Sequence, residues 1–263
     1  MKKALITFLK IVVFFIGWAV LSGLVIISIE DPAVWRFFAE LIPFGVIAVF
    51  TLVFFFIEKR DVRIPILNNG LKGSIVGLGV GIVWIVISAV ILLAIGVLKF
   101  DGKNEVSNLW LWVISAFINV IMQELLVRGY IYQLLKTKYN LVVAVIFTTA
   151  LFTLMHGGAF EVGIIPVINV VTMCLFTTAL YEAEGTILAP IMAHAVWNIL
   201  GALVFGGVSL ADDYPSLYSM KSVGSEILSG GDYKIEASIV VTVINVLLMI
   251  LFFVIYLKKS RQR

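Results

Sequence analysis

Residues 108–135 read NLWLWVISAFINVIMQELLVRGYIYQLL. The run exceeds the roughly 20 apolar residues that carry a helix across a bilayer, so it predicts a membrane helix long enough to tilt. It also holds Asn119, Gln123, Glu124 and Arg128 at depths where lipid is expected. A charged side chain near the bilayer centre costs about 2.5–3.5 kcal/mol on insertion scales. Side chains kept at that cost need a partner or a task. This stretch therefore predicts the class of protein and the neighbourhood of its chemistry together.

The rest of the chain extends the pattern. Of 263 residues, 62% are hydrophobic and 13% charged, against roughly 45–50% and about 25% in soluble domains. That little charge cannot cover a water-soluble body, which excludes a soluble enzyme. Further apolar runs at about 4–29, 37–57, 73–98, 141–156, 163–181, 186–205 and 237–257 complete an expected set of about eight spans. The fold class expected is all-α, a polytopic helix bundle forming a single integral membrane domain over 1–263. The first run is far longer than the 7–15 residues of a signal-peptide core, so it reads as a retained span. Gly77, Gly79 and Gly81 in the third allow close helix approach. The one long polar segment, 206–236, reads as a lid or partner surface.

Charge placement orients the bundle. With both termini inside, twelve Lys and Arg residues fall on the inner side and five outside, with Lys10 and Arg128 within spans. A bacterial plasma membrane suits this bias. The single Cys174 excludes an intrachain disulfide, and a net charge of +3 gives no signal for nucleic acid.

Helix geometry groups the intramembrane polar residues. Glu124 and Arg128 are four apart, in the carboxylate-first order that favours pairing. Asn119 and Gln123 form a second such pair, rotated by about 100°. His194 and Asn198 form a third, and His156 closes the fifth span. At about 1.5 Å of rise per residue, Glu124, His156, His194 and Asn198 fall within a layer roughly 12 Å deep. One shared polar cavity would account for them. The plainer readings are a structural ion pair for Glu124 and Arg128 and interhelix hydrogen bonds for each His. A transporter is a further reading, since buried charge also marks ion pathways, although no inverted halves are visible. Glu40, Lys10 and Asn169 read as end or packing residues, and Cys174 as an apolar filler. Glu182 and Glu184 read as a solvated turn, and the Trp residues as interfacial anchors.

Three segments resemble the motifs of the CPBP intramembrane proteases, a family of CAAX prenyl endopeptidases and bacteriocin-processing or immunity proteins. They are Gln123-Glu124-Leu125-Leu126-Val127-Arg128, Phe152-Thr153-Leu154-Met155-His156 and His194-Ala195-Val196-Trp197-Asn198, within a family-like core at about 110–205. The resemblance implies metal-independent, glutamic-type hydrolysis of a peptide bond, in a peptide or lipid-anchored protein at the lipid bilayer. It implies that Glu124 and His156 stand near the attacking water, and that His194 and Asn198 donate to the oxyanion. Here Gln123 replaces the first Glu of the family's Glu-Glu-x-x-x-Arg motif. A carboxamide cannot accept a proton from water near neutral pH, and general-base help is typically worth about 10²–10⁴ in rate. Three explanations follow: an inactivating Glu→Gln exchange, a natural homologue that binds peptide or a membrane partner without cutting, or Glu124 acting as base while Gln123 positions water. A zinc site on His156, His194 and Glu124 is a minor alternative, although no His-Glu-x-x-His occurs.

Overall fold

The computed structural model describes residues 2–262. The helices are α1 (Lys2–Gly23), α2 (Pro32–Ile57), α3 (Gly70–Ala94), α4 (Leu109–Glu124), α5 (Tyr132–Lys138), α6 (Leu141–Met155), α7 (Gly157–Val162), α8 (Ile164–Glu184), α9 (Leu188–Asn198), α10 (Glu226–Ser229) and α11 (Ile239–Ser260). A π-helical turn, Leu125–Ile131, joins α4 to α5, and another, Ile199–Val204, extends α9. The only strands among the described residues are β1 (Leu98–Lys103) and β2 (Tyr218–Ser222).

The protein is an all-α, multi-pass membrane protein. Among the described residues, six helical stretches are long and apolar enough to cross a bilayer, and Leu141–Met155 and Leu188–Val204 are shorter apolar helices. These eight stretches correspond to the eight runs expected from the sequence. Their outward faces explain the composition. On α11, Val243, Leu247, Ile250, Leu251 and Val254 are all exposed. That is a stripe at helical spacing, placed where lipid tails rather than water would cover it.

The chain folds as two compact units, one of Met1–Pro65 with Asn108–Thr148, the other of Ile66–Ser107 with Thr149–Arg263. In the first unit, α2 begins at Asp31, whose side chain accepts from the Val34 amide at 3.0 Å, with Pro32 at the first helical position. It ends where Lys59 and Arg60 turn left-handed, at φ 52° and 67°. Fully buried Phe14 of α1 packs edge-on against Phe54 at 5.3 Å and, with its ring tilted, against Tyr130 at 4.7 Å. Beside this aromatic cluster, buried Glu58 receives Lys10, the Tyr130 hydroxyl at 3.1 Å and Lys138 at 3.6 Å. Lys10, read as an end or packing residue, thus closes a part-buried ion pair.

In the second unit, α3 lies against α9 along a seam of small residues. A side chain at Gly77 would strike the Ala189 carbonyl, and one at Gly81 would stand 2.7 Å from the Ala193 carbonyl. Gly73 faces Thr186 in the same way, whereas Gly79 has open space around it. The close approach expected at 77, 79 and 81 is therefore made at 73, 77 and 81, one turn apart on a single face. Above the seam Trp84 and Trp197 stack at 3.9 Å, with Phe176 edge-on to Trp84 at 5.1 Å. Both indoles are buried, which corrects their reading as interfacial anchors. Glu184 is corrected too. It is buried and accepts from Lys259 at 3.0 Å, next to the Ala183 carbonyl that the same ammonium caps at 2.7 Å.

The polar segment 206–236 carries structure that its composition does not announce. β2 pairs antiparallel with β1, with a bulge between Phe100 and Gly102. Asn104 ties the same two segments by donating to the Ser216 carbonyl at 2.9 Å and the Ser219 hydroxyl at 3.0 Å.

Candidate functional site

Within the first unit, the polar residues of α4 form two separate rows. Arg128 donates to Glu124 at 2.6 Å, and neither side chain is exposed to solvent. The pair sits at a change of helix type, because Glu124 is the last residue of α4 and Arg128 lies inside the π-helical turn. Such turns widen the helix and re-aim its side chains, and they recur at functional sites.

The second row runs from α2 to α4. Arg36 donates to Glu40 at 3.1 Å, Asn119 donates to the other Glu40 oxygen at 2.8 Å, and Gln123 donates to Asn119 Oδ1 at 2.5 Å. A carboxylate only accepts, so Glu40 fixes the direction of every bond after it. Gln123 Oε1 is left buried without a partner. Glu40, read as an end residue, is thus the group that orders this row.

Within the second unit, His156 is the junction between α6 and α7. Its Nδ1–H donates to the Phe152 carbonyl at 2.8 Å. A carbonyl can only accept, so Nδ1 carries a proton, and in the neutral imidazole Nε2 then holds the lone pair. The Phe152 ring lies 4.2 Å from the His156 ring and 6.3 Å from the His194 ring, centre to centre. One aromatic side chain therefore touches the surroundings of both histidines. His194 and Asn198 are buried on α9, and Asn198 ends that helix where the second π-helical turn begins. Glu124 and Asn198 thus share a local design, each a polar residue immediately before a widened turn.

A cavity of about 240 Å³ opens beside His156 within this unit, with Trp84, Asn245 and Glu236 among its walls. The Glu236 carboxylate accepts from the Ser209 amide at 2.8 Å and from the Trp197 indole. Among the described residues, no group of three or more His, Cys, Asp or Glu is disposed to hold a metal ion.

Residues 105–200 match the family model described as type II CAAX prenyl endopeptidase, Rce1-like. Over that stretch the chain is similar to that family. The match supports membership of the CPBP family and points to a protease. No curated protein and no solved structure matches the chain. The Rce1-like segment contains all six residues singled out by the motifs, from Gln123 to Asn198. Five residues with polar or aromatic groups at the His156 cavity lie outside it: Trp84, Ser209, Tyr233, Glu236 and Asn245. Asn245 carried a usable signal, a polar residue within an otherwise apolar span. Glu236 carried none, since it closes a segment that is polar throughout.

Proposed function

We propose that this chain is an intramembrane endopeptidase of the CAAX type, hydrolysing a peptide bond in a membrane-associated peptide or lipid-anchored protein, in a bacterial plasma membrane. The observation that carries the reading is the Rce1-like match together with the three motifs inside it. The tautomer of His156 adds chemical support, because a lone pair at Nε2 is what a proton acceptor needs.

In this reading the roles follow the motifs. Water loses a proton to Glu124 or His156 as it attacks the peptide carbonyl. His194 and Asn198 donate to the oxyanion that forms, and the proton returns to the leaving amine. Gln123 cannot be the base. Its unpartnered Oε1 is an acceptor suited to holding one hydrogen of the water. No metal is required, so turnover is expected to survive chelation, and a loss restored by added zinc would favour the zinc alternative.

The test is cleavage of a peptide library by the purified full chain in liposomes. His156→Ala and His194→Ala should each abolish it. Turnover unchanged in both variants would overturn the proposal. A second reading, a homologue that binds peptide without cutting, is favoured by the bond network around Gln123, and no cleavage by the unaltered chain would decide for it.

A further inference from the structure

The cavity beside His156 has features that catalysis does not use. It lies wholly within the second unit, and two of its wall residues present buried polar atoms with no partner, the Trp84 indole N–H and Asn245 Oδ1. Asn245 is locked in that orientation, because its amide nitrogen already donates to the Asn169 carbonyl at 3.2 Å and the Thr172 hydroxyl at 3.1 Å. A buried donor or acceptor without a partner is costly. The two atoms therefore mark positions where polar groups of a bound molecule belong.

Glu236 adds an acidic group to the same space. Its carboxylate is held by two donors, the Ser209 amide and the Trp197 indole, both neutral. None of the cavity-lining side chains among the described residues is Lys or Arg. Lys234, two residues away, sends its ammonium to the Gly206 carbonyl instead. The carboxylate thus faces the cavity with no cation provided by its walls. Stacked Trp84 and Trp197 contribute aromatic surface, and Met155, Val170 and Met173 contribute apolar wall.

A positive charge on an aliphatic stem satisfies Glu236 and Asn245 Oδ1 together, while the Trp84 N–H, itself a donor, needs an acceptor such as a backbone carbonyl of the same peptide, because an ammonium or guanidinium has none. The cation pairs with Glu236 and lies near indole rings, which attract cations. Its N–H groups reach Asn245 Oδ1, and its stem covers the methionines. The volume, about 240 Å³, is below the roughly 300–1,000 Å³ of pockets for drug-sized molecules, and suits one side chain. Gly157 and Gly158 are exposed and also line the cavity, so backbone without side chains forms the wall next to His156.

We infer that this cavity is a recognition pocket for one cationic side chain, Lys or Arg, of the peptide on which the protein acts, with Glu236 as its counter-ion. Calling that peptide a substrate rests on the peptidase reading; the binding itself does not.

The test uses the full chain in nanodiscs and two fluorescent peptides that differ only in Lys or norleucine at one position. Anisotropy should show the Lys peptide binding at least about tenfold tighter, a difference of about 1.4 kcal/mol. Glu236→Gln keeps an acceptor oxygen for Ser209 and Trp197 and should reduce the preference to less than about twofold. Equal affinity of the unaltered chain for both peptides overturns the inference without reference to any variant, as does a preference that persists in a folded Glu236→Gln protein. Lys-selective binding with no cleavage would support the pocket and sink the peptidase reading. Cleavage of both peptides at equal rates and affinities would do the reverse.

Discussion

Gln123 donates its side-chain amide to Asn119 at 2.5 Å, and this bond stands at the end of a row whose direction is set by Glu40. Asn119 must give its N–H to the Glu40 carboxylate, so it offers only its oxygen to residue 123. An amide at 123 completes the row. A carboxylate there would bring two acceptors together, and turning Asn119 over would only move the conflict to Glu40. The surroundings of residue 123 are thus matched to Gln, the residue the chain carries.

The first prediction follows from that count of donors. Gln123→Glu alone should change turnover of a cleavable peptide by less than about tenfold, because the row is then one donor short. Adding Glu40→Gln supplies the missing donor and lets Asn119 face the new carboxylate. The double variant should gain on the order of 10²–10⁴ in kcat, the usual worth of a general base. A full gain in the single variant would show that the row does not control residue 123.

Asn198 is assigned a hydrogen bond to the oxyanion, so Asn198→Ala should lower kcat by about 10²–10³ with little change in KM. Single-turnover cleavage in liposomes measures it. A rise in KM at constant kcat would reassign Asn198 to substrate binding.

For the fully buried Glu124–Arg128 pair, stability and activity should separate. Removing either partner, as in Glu124→Ala or Arg128→Ala, leaves a charge stranded and should destabilise by about 3–5 kcal/mol. Replacing both by apolar residues of similar volume should restore most of that loss while leaving no cleavage. Thermal unfolding in detergent, alongside the peptide assay, reads both quantities.

Acid should loosen the first unit at Glu58. Burial raises its pKa, but Lys10, the Tyr130 hydroxyl and Lys138 more than offset this and hold the carboxyl below its ordinary 4.5. A lowered folded-state pKa means the contribution is present above about pH 4.5 and disappears as pH falls through the lower, folded-state value. Melting temperature between pH 6 and 3 should therefore fall more steeply for the parent than for Glu58→Gln. Parallel curves would remove Glu58 from the acid response.

What the sequence made legible was local. Glu124 with Arg128, and Asn119 with Gln123, were readable because four residues along one helix bring side chains together whatever surrounds them. The apolar runs were readable because a bilayer demands length and composition, not specific partners. The cavity beside His156 was not, since Trp84 and His156 lie far along the chain from Glu236 and Asn245 and meet them only through packing. Trp84 and Trp197 misled for a related reason. An indole suits a membrane interface and a buried stack equally well, and only its neighbours decide. The β1–β2 pairing escaped notice because short polar strands far apart in sequence have no periodicity to betray them.

The seam between α3 and α9 bears on how this protein can vary. At positions 73, 77 and 81 the neighbouring helix occupies the room a side chain would need, whereas position 79 faces open space. Saturation mutagenesis would accordingly print a four-residue rhythm of intolerance on a stretch whose hydropathy is almost featureless. Drift is free to rewrite the lipid-facing letters between those beats, while the helix that bears His194 keeps its place.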